Sequence, residues 1–211
     1  GALGFDADQR LSLEEYRAMR VLGFRFRMGY LGDLTSEEVD DAPAADIMIG
    51  AIQHAHYSGW DVGNHPGSDD GKRAVSDANK AALPLMPIFA DLEEPAPSTT
   101  IMQIEQWSAE WCAAVVRPGN EAEVYWGAGM PGDAKELYQL AFTGYWSSFS
   151  NVVVPWRCGY KMRQLYHFPK GECLVRDVYP QAPAIVADIS IDVDVAFSDY
   201  LGRRVKLCAA G

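Results

Sequence analysis

No apolar run in this 211-residue sequence approaches the roughly 20 residues needed to cross a bilayer. Basic residues are scarce. Eighteen Lys and Arg face 29 Asp and Glu, a formal net charge of −11. That balance argues against a nucleic-acid binder, which normally carries a basic patch, and against electrostatic docking on an anionic membrane or wall polymer. The four cysteines, Cys112, Cys158, Cys173 and Cys208, contain no CxxC pair, which leaves no basis for a zinc knuckle or a thioredoxin-like motif. Free thiols are expected, because a chain of this size buries an adequate core without cross-links; Cys158 and Cys173 are the pair whose bridging would close a short loop. The opening residues lack a charged stretch followed by an apolar one, so no signal peptide is expected. Internal repeats and low-complexity tracts are absent as well.

What the sequence does have is 48% hydrophobic content, enough for one sizeable core, and residues 1–211 read as a single domain. Strand-like apolar runs alternate with amphipathic helical patterns. Strands are expected over Leu3–Asp8, Phe24–Leu31, Ile47–Gln53, Leu85–Asp91, Glu123–Gly127, Gly144–Ser148, Lys161–His167 and Ala184–Asp188. Between them lie helices from Leu13 to Leu22, after Thr35-Ser36-Glu37-Glu38, over Arg73–Leu83, over Thr99–Val116 and over Asp133–Phe142. The segment from His54 to Lys72, rich in Gly, Asp, His and Asn, reads as a long loop. Eight strands with helices between most of them predict a small, partly irregular (β/α)8 TIM-like barrel. An open doubly wound sheet is the rival, and no Gly-rich phosphate turn follows the first strand to support it.

The most informative tripeptide is Asp91-Leu92-Glu93, at the end of the apolar run Leu85–Ala90. Strand side chains alternate, so the two carboxylates project to one side. Neighbouring carboxylates cannot both ionise cheaply, and the raised pKa of one provides a proton donor near neutral pH. Acid/base cleavage of a glycosidic bond requires such a donor. An acidic pair after a strand also occurs as a solvated loop, and Glu94-Pro95 follows at once.

The order of these pieces resembles the glycoside-hydrolase-like barrel domain once called domain of unknown function 1906, a relative of the family 25 muramidases. The matching segments are Gly4-Phe5-Asp6, Gly23-Phe24-Arg25-Phe26 with Tyr30-Leu31, Gly71 with Asp77-Ala78, Pro87–Glu93, Val124-Tyr125-Trp126-Gly127, Tyr145-Trp146, Gln164-Leu165-Tyr166 and Asp192-Val193-Asp194. Gly29 and Asp194 stand where that family often has Arg and Asn.

The resemblance implies a lysozyme-like glycosidase cleaving β-1,4 bonds of peptidoglycan or a related amino-sugar glycan at the bacterial cell wall, secreted or phage-encoded, with no cofactor. It implies Glu93 as general acid, and Asp91 to orient an N-acetyl group whose carbonyl oxygen attacks the anomeric carbon. Asp6 or Asp192 would serve as base if water attacks directly. Asp8 would add negative charge, and Tyr30, Trp60, Tyr125, Trp126, Trp146, Gln164 and Tyr166 would contact sugar, with anchoring of its own loop the alternative role for Trp60. Alternation prevents Tyr125 and Trp126 from both facing inward, whereas Gln164 and Tyr166 share a face. Two other readings stay open: a sugar-binding or architectural barrel without turnover, and a metal-dependent hydrolase built on His54 and His56. The latter pair lacks a recognisable third-ligand pattern, and no metal is expected.

Overall fold

The computed structural model describes residues 1–148, 159–165, 173–198, 204 and 207–208. Eight strands close into a barrel in sequence order: β1 (Ala2–Ala7), β2 (Phe26–Tyr30), β3 (Met48–His54), β4 (Pro87–Leu92), β5 (Glu121–Trp126), β6 (Gly144–Ser147), β7 (Tyr160–Gln164) and β8 (Asp192–Ala196). Among the described residues the helices are α1 (Leu13–Val21), α2 (Ser36–Ala44), α3 (Gly67–Lys80), α4 (Ile101–Val116) and the single turns α5 (Ala134–Leu137), α6 (Val175–Val178) and α7 (Ala184–Ala187). None is long and apolar enough to cross a membrane.

Strands β1 to β7 pair in parallel, but β8 runs antiparallel to both β7 and β1. This reversal determines what reaches the open end. The carboxyl ends of β1–β7 and the amino end of β8 share one face of the barrel, with Asp192 opposite Asp6 and Asp194 opposite Gly4.

The barrel interior is filled by Phe26, Met28, Ile52, Phe89, Tyr125, Trp146, Met162 and Ala196. Large residues face glycines. A Cβ at Gly4 would stand 2.2 Å from the Phe26 ring, and one at Gly50 would stand 2.3 Å from Met28 Sδ. The second, larger core lies between the barrel and the helices and includes Phe5, Tyr16, Phe24, Ile88, Trp107, Trp111, Val124 and Trp126.

Several local expectations hold. Ser12, Thr35 and Thr100 each open a helix with a reciprocal capping box to Glu15, Glu38 and Gln103. Others need correction. The His54–Lys72 loop ends early because α3 begins at Gly67. Glycine is a poor helix former, but here it lets α3 lie directly on α4: a Cβ at Gly67 would stand 2.1 Å from the Trp107 carbonyl oxygen. The run Ala184–Asp188, expected as the eighth strand, forms α7 after Pro183, and the strand is Asp192–Ala196. A four-residue apolar run has too little length to reveal its period. The helix expected over Asp133–Phe142 is confined to α5. Cys112, Cys173 and Cys208 are free thiols; Cys158 lies outside the described residues.

One buried ion pair fastens the first loop of the open face. Arg27 on β2 and Glu38 on α2 bond to each other with both side chains nearly fully buried. Arg27 also donates to the carbonyls of Ala7 and Gln9, and Glu38 accepts from the Leu11 N–H. Removing one partner of such a pair strands the other charge. Glu38→Ala is expected to cost about 3–5 kcal/mol, read as a lower urea midpoint with an unchanged slope.

Candidate active site

The inward-facing residues at the open end come from six strands. Asp6 and Asp8 end or follow β1, Tyr30 ends β2, His54 ends β3, Asp91 and Glu93 end or follow β4, and Tyr125 lies on β5. Asp192 and Asp194 arrive on β8. The structure thus brings together the four acids expected from the sequence, Asp6, Asp91, Glu93 and Asp192, and adds Asp194 and His54.

Burial sets their electrostatics. Asp6 and Asp194 are 6% and 0% exposed. Burial pushes both carboxyls well above the usual range, and each lies close enough to the other to share a proton. The Trp146 indole N–H donates to Asp194 Oδ1 at 3.0 Å, which favours ionised Asp194 with Asp6 as the protonated donor. Asp91 is 3% exposed, and burial raises it too, with His54 working in the opposite direction. His54 Nδ1 lies 3.3 Å from Asp91 Oδ2, and that contact raises the imidazole. Asp91 Oδ1 is buried without a hydrogen-bond partner among the described residues.

Glu93 is only partly buried. Desolvation, then the neighbouring Asp91 charge, push its carboxyl up to about 7. Its place is tightly determined. A Cβ on Gly127 would stand 2.4 Å from Glu93 Cβ and 2.7 Å from its Oε2, so only glycine leaves room there. From behind, the Trp60 indole N–H donates to the Glu93 carbonyl at 3.1 Å, and the Gly59 N–H to the Glu94 carbonyl at 2.7 Å. The loop after β3 is therefore stitched to the segment after β4. Trp60 in turn packs on His56 and Trp107, and both His56 and Trp107 bond Asp70 on α3.

Three expected sugar contacts must be corrected. Trp60 is 6% exposed and supports the Glu93 backbone from the helix side. Trp126 is 1% exposed and points out into the helix layer, as alternation with the inward Tyr125 demands. Trp146 is 1% exposed inside the barrel, where it holds Asp194 and offers no ring face to a ligand. Tyr30 and Tyr125 do face the site, and the Tyr125 hydroxyl donates to Gln164 Oε1 at 3.2 Å. Burial lifts the phenols of both tyrosines, and nearby carboxylates add to the shift. Asp8 is exposed at the rim. Tyr166 lies outside the described residues.

His54 and His56 serve different carboxylates, Asp91 and Asp70, rather than converging on one point. The sequence reading paired them and so missed His54 as the partner of Asp91. Alternation from Gly50 through Ile52 puts His54 on the inward face and was the available signal.

No protein-family model matches the chain, and no curated protein matches it in sequence. Solved structures do. An uncharacterized B. stearothermophilus protein superposes at TM-score 0.66 with 16% identity, over 93% of this chain and 96% of the other. A family 25 glycosyl hydrolase from Bacillus anthracis superposes at 0.57 with 11% identity, over 95% and 91% of the two chains. A muramidase from Acremonium alcalophilum gives 0.56 with 11% identity, over 95% and 96%. The fold is shared with family 25 glycosyl hydrolases. At these identities the likeness concerns the barrel and leaves the chemistry to be argued from the side chains.

Two outcomes follow for Glu93. Carboxyl NMR titration is expected to give a midpoint near 7, shifted downward in Asp91→Asn because a raising charge is removed. A crystal structure of Gly127→Ala is expected to show the Glu93 side chain displaced, since its own Cβ lies in the way.

Proposed function

We propose that this protein is a glycosidase of the lysozyme type, cleaving β-linked amino-sugar polymers of the peptidoglycan class by carboxyl acid/base catalysis. The observation that carries the reading is Glu93: a partly buried carboxyl at the open end of the barrel, pushed up to about 7 beside the buried Asp91. A group titrating near neutrality is available as a proton donor and, after transfer, as a base. The barrel shared with family 25 glycosyl hydrolases supports the class, and the ordered motifs support kinship with the domain of unknown function 1906 branch.

In this mechanism Glu93 donates its proton to the glycosidic oxygen as the bond from that oxygen to the anomeric carbon breaks. The carbonyl oxygen of the substrate's own N-acetyl group attacks that carbon, and Asp91 orients the acetamido group, its Oδ1 having no hydrogen-bond partner among the described residues. Water then opens the cyclic intermediate and gives a proton back to Glu93. Direct attack by a water molecule needs a carboxylate base with access to solvent. Asp6 fits that role poorly, being buried and sharing a proton with Asp194, whereas Asp192 is partly exposed. The Trp60 and Gly127 contacts act on rate by holding Glu93, not by touching sugar. The cell wall is the site of action that follows from such a substrate.

The test is release of reducing ends from purified peptidoglycan. Glu93→Gln is expected to lower the rate by about 10²–10⁴-fold while the thermal midpoint is retained. Wild-type kcat is expected to fall as pH rises through about 7, because the acid form of Glu93 is lost there. Absence of release from several walls by a folded wild-type protein would favour a barrel that binds sugar without cutting it.

A further inference from the structure

The residue that follows Glu93 is strained. Glu94 has a φ of 43°, in the left-handed region that a non-glycine residue keeps only when its surroundings hold it there. Its side chain is exposed and gives no packing reason for that conformation. The backbone contacts on either side do. On one side the Glu94 N–H donates to the Ala128 carbonyl at 2.7 Å. On the other, the Gly59 N–H donates to the Glu94 carbonyl at 2.7 Å and the Trp60 indole to the Glu93 carbonyl at 3.1 Å. The Ala96 N–H closes the seam on the Trp60 carbonyl at 2.8 Å. The turn that sets the direction of Glu93 is thus imposed in part by the loop after β3.

That loop hangs on one carboxylate. Asp70 lies in the first turn of α3, buried and outside the barrel. Its Oδ2 meets His56 Nε2 at 2.9 Å and accepts from the Trp107 indole at 3.0 Å, and its Oδ1 pairs with Arg73 at 3.0 Å. Arg73 also donates to the Ala55 carbonyl at 3.0 Å, and the Asp70 main-chain carbonyl accepts from the Gln53 side chain on β3 at 2.9 Å. Trp60 stands against this cluster, its ring 5.0 Å from His56 and 5.9 Å from Trp107. A buried carboxylate engaged on both oxygens fixes all of its partners at once, since each would lose its bond by moving.

We propose that Asp70 is a positioning residue for Glu93: acting through His56 and Trp60, it holds the left-handed turn at Glu94 that aims the acid. The effect on rate rests on the glycosidase reading, whereas the effect on the Glu93 carboxyl does not. Direct electrostatics does not imitate it, because the charges that act most on Glu93 are those of Asp91, His54, Glu94 and Asp192. Loss of the Asp70 carboxylate therefore reaches Glu93 by geometry. The turn relaxes, the Glu93 side chain moves toward water, and part of its desolvation is lost. The change Glu94→Gly gives a backbone that takes the left-handed turn without strain, so that the turn depends less on the clamp.

A double-mutant cycle of Asp70→Asn with Glu94→Gly tests this, read by carboxyl NMR titration of Glu93 and by kcat and KM on peptidoglycan. In the wild-type background Asp70→Asn is expected to bring the Glu93 midpoint down from about 7 toward 4.5. It is expected to lower kcat about 10- to 100-fold with KM little changed. In the Glu94→Gly background the same change is expected to move the midpoint less and to lower kcat by less than about threefold. Asp69→Asn, which removes the exposed partner of Lys72 from the same helix, is expected to leave both readings as they are. Should Asp70→Asn not fold, His56→Gln, at a half-buried position, carries the same cycle. A Glu93 midpoint unmoved by Asp70→Asn, an equal effect in both backgrounds, or an equal effect of Asp69→Asn would overturn the positioning role. The two readings fail separately. A midpoint shift relieved by Glu94→Gly in a protein that cleaves no wall overturns the glycosidase alone, and cleavage with an unmoved midpoint overturns the positioning role alone.

Discussion

The carboxyl pair of Asp6 and Asp194, across the seam between β1 and β8, is the constraint around which the open end is organised. Two charges that close and that buried would repel, and among the described residues no cation pairs with either. Sharing a proton resolves the conflict and turns the repulsion into a hydrogen bond. It also places a fixed partial negative charge beneath the mouth, held by the Trp146 indole. The arrangement exists only because β8 is reversed. Were β8 parallel like its neighbours, its first residue would start at the opposite end of the barrel, and Asp192 would be lost from the site.

The remaining acids exist at an energetic disadvantage that the fold tolerates. Glu93 titrates near 4.5 as a free side chain and about 7 in the folded protein. A raised carboxyl gives its full stability contribution below about 4.5 and loses it as pH climbs through about 7. The site is thus less stable at the pH where its proton is poised for transfer. Rigid supports offset this: the Arg27–Glu38 pair under the first loop, the α3–α4 contact at Gly67, and the Trp60 clamp behind Glu93. His54 contributes an opposing charge at Asp91, which partly offsets the rise that burial imposes on that carboxyl.

Much of this was legible in the residues. Period-2 apolar runs gave seven of the strands near their true places, and the Asp91-Leu92-Glu93 spacing put both acids on the inward face. The eighth strand was misjudged because Ala184–Ala187 offers no period to read, while Asp192–Ala196 alternates but begins with two acids that resemble a solvated turn. Trp60 left two roles open, ligand contact and loop anchor, because nothing local separates them; the tertiary structure shows the anchor, with its indole on the Glu93 carbonyl. Asp194 was visible as an inward neighbour of Asp192, but its pairing with Asp6 depends on strand direction, and the alternating pattern of a strand does not encode its direction.

The proposed mechanism requires residue 93 and Asp91 to address one sugar unit from the end of β4. A crystal structure of the Glu93→Gln protein soaked with an N-acetylglucosamine oligomer tests it most directly. A glycosidic oxygen is expected within hydrogen-bond reach of the residue 93 side chain, about 2.6–3.2 Å, with the acetamido group of the same unit against Asp91. An oligomer bound away from this mouth, or one whose acetamido group faces away from Asp91, would contradict it.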